Sequence, residues 1–187
     1  MSNDSRLNLG IKTTYRIWCY SNWHKDGTRC HDTFNCSRKH IQRLEWQDGF
    51  ENLVVTEGRN LLLDNSFNAA ASSVNWYVGL KGSGTPAASD TMASHSTWSE
   101  ITPYSNSTRP QWVKNGAASS GSMSNSNSKA SFSINATSTV YGAFLTSDST
   151  KGGTTGKLYG AGDFATSRSV ISGDTLNVQV DLSVTAS

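Results

Sequence analysis

Six side chains between residues 19 and 40 have the chemistry of metal ligands: Cys19, His24, Cys30, His31, Cys36 and His40. Thiolate and imidazole are the ordinary protein donors to zinc, so a group of this composition could hold a tetrahedral ion. The spacing works against a standard knuckle. Five residues separate Cys30 from Cys36, three separate Cys36 from His40, and no two cysteines lie two residues apart. Cys19 or His24 would therefore have to complete a ligand set. An odd total of three cysteines excludes a fully paired intrachain framework. Buried thiols with surface imidazoles, a single disulfide, and a zinc site drawn from Cys19, His24, Cys30, Cys36 and His40 all stay open, and the expectation is no resident cofactor.

A second group, Asp90, His95 and Glu100, has acid and base character, with Ser94 or Ser96 as an adjacent hydroxyl. No Gly-x-Ser-x-Gly elbow accompanies it, and serine is abundant throughout. A capped helical turn over Asp90–Ser94 accounts for the same residues, so no catalytic residue is expected. The glycine-rich stretches 79–84 and 151–157 lack the Gly-x4-Gly-Lys-Ser/Thr pattern that cradles phosphate and read as hairpin turns. Trp18, Trp23 and Trp46 lie near Arg16, Arg38 and Arg43 in sequence. Tryptophan and arginine concentrate where proteins meet, so these six are the expected interface, ahead of a sugar or nucleobase platform.

The elements that must carry these residues are strands. Ile11–Tyr20 is β-branched and aromatic, and Leu44–Asp48 is its expected hairpin partner across a long excursion. Further strands are expected at Val74–Lys81, Gln111–Lys114, Lys129–Ala136, Thr139–Thr146, Lys157–Ala165 and Thr175–Thr185. In the last, Leu176, Val178, Val180, Leu182 and Val184 alternate with polar residues, which puts one apolar face on a core. A single short helix is expected from a Thr56 cap, with Leu62, Leu63 and Phe67 on one face. Asn115–Lys129 reads as a polar loop or lightly packed edge. With little helix to cover the apolar faces, a second sheet must do so, and the expected fold is an all-β antiparallel sandwich, jelly-roll-like, with one short helix and an N-terminal extension.

Composition bounds the function. The 187 residues are 35% hydrophobic, with six each of Trp, Tyr and Phe, enough for a real core despite a mean hydropathy of -0.47. Residues 1–43 hold eight Lys or Arg against three Asp, while the whole chain is only +2. A basic arm over 1–43 and a sandwich domain over 44–187 are expected, and removing the arm should leave the domain folded. No basic run suggests direct nucleic-acid binding, and no stretch approaches the roughly 20 apolar residues needed to span a bilayer. The polar start MSNDSRLNLG lacks the apolar segment of a signal peptide, so synthesis in a cytosol is expected.

The series LEWQDGFENLVVTEGRNLLLD (44–64), WYVGL (76–80), ASDTMASHSTWSEITPYSNSTRP (88–110), ASFSINATSTVYGAFL (130–145) and GGTTGKLYGAGDF (152–164) resembles small accessory virion proteins of tailed bacteriophages. The likeness spans most of residues 44–187, and 19–40 departs from it. It implies a virion component without catalytic activity, either a capsid decoration or cement protein or part of a neck or tail appendage. The expected partners are the major capsid protein or other virion proteins, with dimers or trimers of the chain itself. A neck or tail module would bind a host glycan, with Trp98, Tyr104 and Trp112 as candidate contacts. A hydrolase acting on a cell-surface polymer is the remaining alternative.

Overall fold

Strict alternation of apolar and polar residues commits whole rows of side chains to one side of a strand, and the chain resolves this with two antiparallel sheets. The computed structural model describes residues 9–30, 39–68 and 75–186. In chain order the elements are β1 (Leu9–His24), β2 (Arg29–Cys30), β3 (His40–Glu51), β4 (Leu53–Val54), α1 (Thr56–Phe67), β5 (Tyr77–Lys81), β6 (Glu100–Ile101), β7 (Ser122–Ser124), β8 (Ala130–Ser133), β9 (Ser138–Thr146), β10 (Leu158–Val170) and β11 (Thr175–Ala186). In the first sheet β1 lies between β3 and β11, and β11 pairs on its other side with β7 and β8. The second runs β4-β10-β9-β5-β6.

The core forms where the sheets meet. Tyr15, Ile17 and Cys19 from β1 join Leu176, Val178 and Val180 from β11, opposite Val78, Leu80, Leu145 and Tyr159 of the second sheet. Tyr15 stacks on Phe50 at 5.0 Å, and Phe164 meets Phe50 edge-on at 5.2 Å. These offset and edge contacts are the arrangements aromatic rings prefer. The second sheet is covered on its other face as well. Val55, Met92, Trp98, Phe144, Leu158 and Ala161 form a separate cluster there, and Met92 and Trp98 reach it from the long connection between β5 and β6.

Two buried cations tie these layers. Arg109 is 1% exposed and grips Glu100 with two bonds, Nε to Oε1 at 3.0 Å and Nη2 to Oε2 at 2.7 Å. The same guanidinium donates to the carbonyls of Asp148 at 2.9 Å and Gly153 at 2.7 Å. A planar fork with five donors is what such a four-way junction requires, and lysine could not replace it. Lys81 is fully buried and pairs with Asp163 at 2.6 Å while donating to the carbonyls of Gly82 and Gly84.

Several expectations need correction. The segment read as an arm supplies β1, which pairs with β11 from Leu9 through Tyr20 and puts three side chains into the core. A boundary at residue 43 would cut through β3, so the division at 43 is one of composition and not of packing. Thr56 does not cap α1: Val55 occupies that position with no side-chain cap bond, and the Thr56 hydroxyl accepts from Arg59 instead. Leu62 packs on the core, but Leu63 and Phe67 are 59% and 83% exposed, so the three do not share a buried face. Gln111–Lys114 makes only an isolated bridge to Tyr77. The 115–129 stretch, by contrast, is the polar loop with an edge that was expected, the edge being the short strand β7. Residues 90–94 form turns and no helix.

Candidate functional site

Because the second sheet is buried on both faces, the open face of the molecule belongs to the first. Along β1 the odd residues Tyr15, Ile17, Cys19 and Ser21 are buried, and the even residues Thr14, Arg16, Trp18 and Tyr20 face outward. Register with β3 adds Gln47 beside Trp18 and Leu44 beside Tyr20 to that face. The register shifts after Cys19, where β3 carries an extra residue, Glu45. Trp18 is fixed from two directions: its Nε1 donates to Gln47 Oε1 at 3.1 Å, and Lys129 Nζ lies 5.0 Å from its ring. Arg16 pairs with Asp181 of β11 at 3.2 Å.

Beyond the core the β1–β3 ribbon continues, and its β3 strand is accessible from both sides. Residues 41–45 of β3 are all exposed, with Ile41 at 44% and Leu44 at 50%. On the inner side of this extension Arg43 stacks over Trp23 at 5.0 Å, and Trp23 Nε1 donates to Glu45 at 2.8 Å. Among the described residues β3 pairs only with β1, so its outer edge leaves backbone donors and acceptors available to a partner. Four of the six expected interface residues, Arg16, Trp18, Trp23 and Arg43, thus lie on this ribbon clear of the core. Trp46 does not join them, because it faces inward, meets Phe164 edge-on at 5.9 Å and packs on the core. Arg38 lies outside the described residues.

The metal-ligand candidates separate by strand parity. Cys19 and His24 are five residues apart on one strand and so point to opposite faces. Cys19 is fully buried, and its thiol donates to Asp174 Oδ2 at 3.7 Å. Burial, reinforced by the neighbouring Asp174 carboxylate, pushes that thiol well above the ordinary thiol range, which makes it unreactive. The same carboxylate accepts from Ser21 at 2.7 Å and pairs with Arg29 at 2.7 Å, so this end of the inner face is a buried polar network. His24, Cys30 and His40 do come together: one ligand atom from each lies within 4.8 Å of the others. Cys36 and His31 lie outside the described residues. The parity of 19 and 24 was available in the sequence; the convergence of His24 with His40 required the β1–β3 register.

Asp90, His95 and Glu100 serve three separate structural purposes. Asp90 Oδ2 accepts from Trp98 Nε1 and from the Ala87 amide, both at 2.9 Å. His95 Nδ1 lies 3.1 Å from the Thr91 carbonyl, and its ring packs 4.2 Å from Trp98. Glu100 is the partner of Arg109 and also accepts from the Gly152 amide at 2.8 Å. Trp98, Tyr104 and Trp112 are 5%, 0% and 6% exposed, so the residues expected to meet a glycan are core instead. A groove of about 700 Å3 beside α1 has Leu62, Asn65, Asn75, Trp76 and Gln111 among its lining residues.

No helix among the described residues is long and apolar enough to cross a membrane. Neither a protein-family model nor a curated protein sequence matches this chain.

Proposed function

We propose that this chain is a non-enzymatic structural protein of a tailed-phage particle, a capsid decoration protein that docks on a neighbouring virion subunit through the β1–β3 ribbon. The observation that carries the reading is the ribbon itself. A twelve-residue strand that pairs on one side only among the described residues is joined to an open face bearing Arg16, Trp18, Tyr20 and Leu44. A long accessible edge invites pairing with another chain, and Trp, Tyr and Arg are the side chains that anchor interfaces. The likeness of most of residues 44–187 to accessory virion proteins supports a place in the particle. Many copies on a lattice gain strength from effective concentration, so no single deep pocket is needed.

The test is the location of the chain in purified particles, followed by the variant Trp18→Ala/Leu44→Asp. Copies distributed over the whole shell, lost in that variant while its circular dichroism stays native, are the expected outcome. Copies confined to one vertex would replace decoration with a neck or tail role. Absence from the particle would sink the reading.

A further inference from the structure

We propose that His24, Cys30 and His40 bind one zinc-class divalent transition metal per chain. The site is independent of the docking role above and stands on the register of three strands. β1 runs between β2 and β3 at this end of the sheet. His40 is the direct cross-strand partner of His24, and Cys30 is the partner of Asn22, two residues before His24 on the same strand. Partners across a ladder share a face, as do residues two apart, so all three side chains project from the same side.

The distances suit a metal. One nitrogen or sulfur from each residue lies within 4.8 Å of the other two. Zinc bonds of about 2.3 Å to sulfur and about 2.0–2.1 Å to nitrogen place tetrahedral donors about 3.3–3.6 Å apart, so small side-chain rotations close the set. The imidazole rings of His24 and His40 are 5.2 Å apart and inclined by 47°, with no flat stacking to hold them away from a shared centre. His40 Nε2 is buried and has no hydrogen-bond partner. A buried polar atom left so is costly, and a coordinated cation would satisfy it. Cys30 is 5% exposed, which protects its sulfur from oxidation by bulky oxidants.

The donor set selects the ion. Two imidazoles and one thiolate favour zinc and its borderline-soft neighbours, and disfavour magnesium and calcium, which require oxygen. Three protein ligands leave a fourth position for water or an external donor.

The full chain, reduced and stripped by chelator, would be titrated with cobalt(II). One equivalent should produce a thiolate-to-cobalt charge-transfer band with the visible absorption of a tetrahedral centre, both displaced by zinc. Cys30→Ser should abolish the charge-transfer band, and His24→Ala or His40→Ala should each weaken zinc binding by more than about tenfold. Zinc should also raise the thermal midpoint of the parent chain reversibly and leave that of a folded His24→Ala/His40→Ala variant unchanged. A folded parent chain that develops no charge-transfer band overturns the proposal. So does a zinc-dependent midpoint that persists in the double variant.

Discussion

Asp148 illustrates how single side chains far apart in sequence become one unit. Its carboxylate accepts from the Thr155 hydroxyl at 2.6 Å and from the Thr150 amide at 3.0 Å, and Arg109 Nη1 lies 3.8 Å away. Partial burial raises its pKa, but these hydrogen bonds and the guanidinium outweigh burial and hold it below the ordinary carboxylate value of 3.8. The sign follows from linkage. A carboxylate whose folded pKa is depressed stabilises the native state above its unfolded pKa, and that stability is lost as pH falls through the folded value. Asp148→Asn is therefore expected to cost about 1–2 kcal/mol at neutral pH, and the penalty should shrink as pH falls below 3.8. Urea unfolding of both proteins at neutral and acid pH checks this; a penalty independent of pH would refute it. Nothing near Asp148 in the sequence points to Arg109, because they are 39 positions apart.

The helix α1 presents a case where propensity and packing oppose each other. Replacing a helical glycine by alanine ordinarily stabilises by about 1 kcal/mol. Gly58 is the buried residue of α1, and a Cβ there would fall 2.1 Å from the Tyr159 carbonyl oxygen of β10. That neighbour is backbone in a paired strand and cannot rotate away. Gly58→Ala should therefore destabilise by about 2 kcal/mol or more, since overpacking outweighs propensity, and thermal unfolding would read the sign directly. Strands were the most legible elements. The expected Thr139–Thr146 and Thr175–Thr185 are β9 and β11 to within a residue or two at each end, because their alternation is regular and their flanks are turn formers. Gly152, with a φ of 74°, sits in the turn between β9 and β10, as the paired glycines imply. Helix details were less legible: with Leu63 and Phe67 exposed, apolar spacing alone did not identify the buried side.

As a whole the molecule is closed by its first described strand. β1 separates β3 from β11, so deleting residues 1–43 removes a central strand, the first four residues of β3 and core residues Tyr15, Ile17 and Cys19. That truncation should abolish cooperative unfolding, as followed by near-ultraviolet circular dichroism against denaturant; a sharp native-like transition would show that the second sheet suffices. Composition marked 1–43 as distinct because basic, aromatic and sulfur-bearing residues gather there, and this tracks the exposed ribbon rather than a separable unit. The all-β class, the two-layer solution and most strand positions follow from alternation and turn residues, which are local and therefore written in the sequence. The odd and even positions of β1 were equally readable, and they separate Cys19 from His24. Which strands become neighbours is set by burial summed over both sheets, a non-local quantity. Only that pairing brings His40 opposite His24, lays Arg43 over Trp23, buries Trp98, Tyr104 and Trp112, and among the described residues leaves β3 with one partner strand.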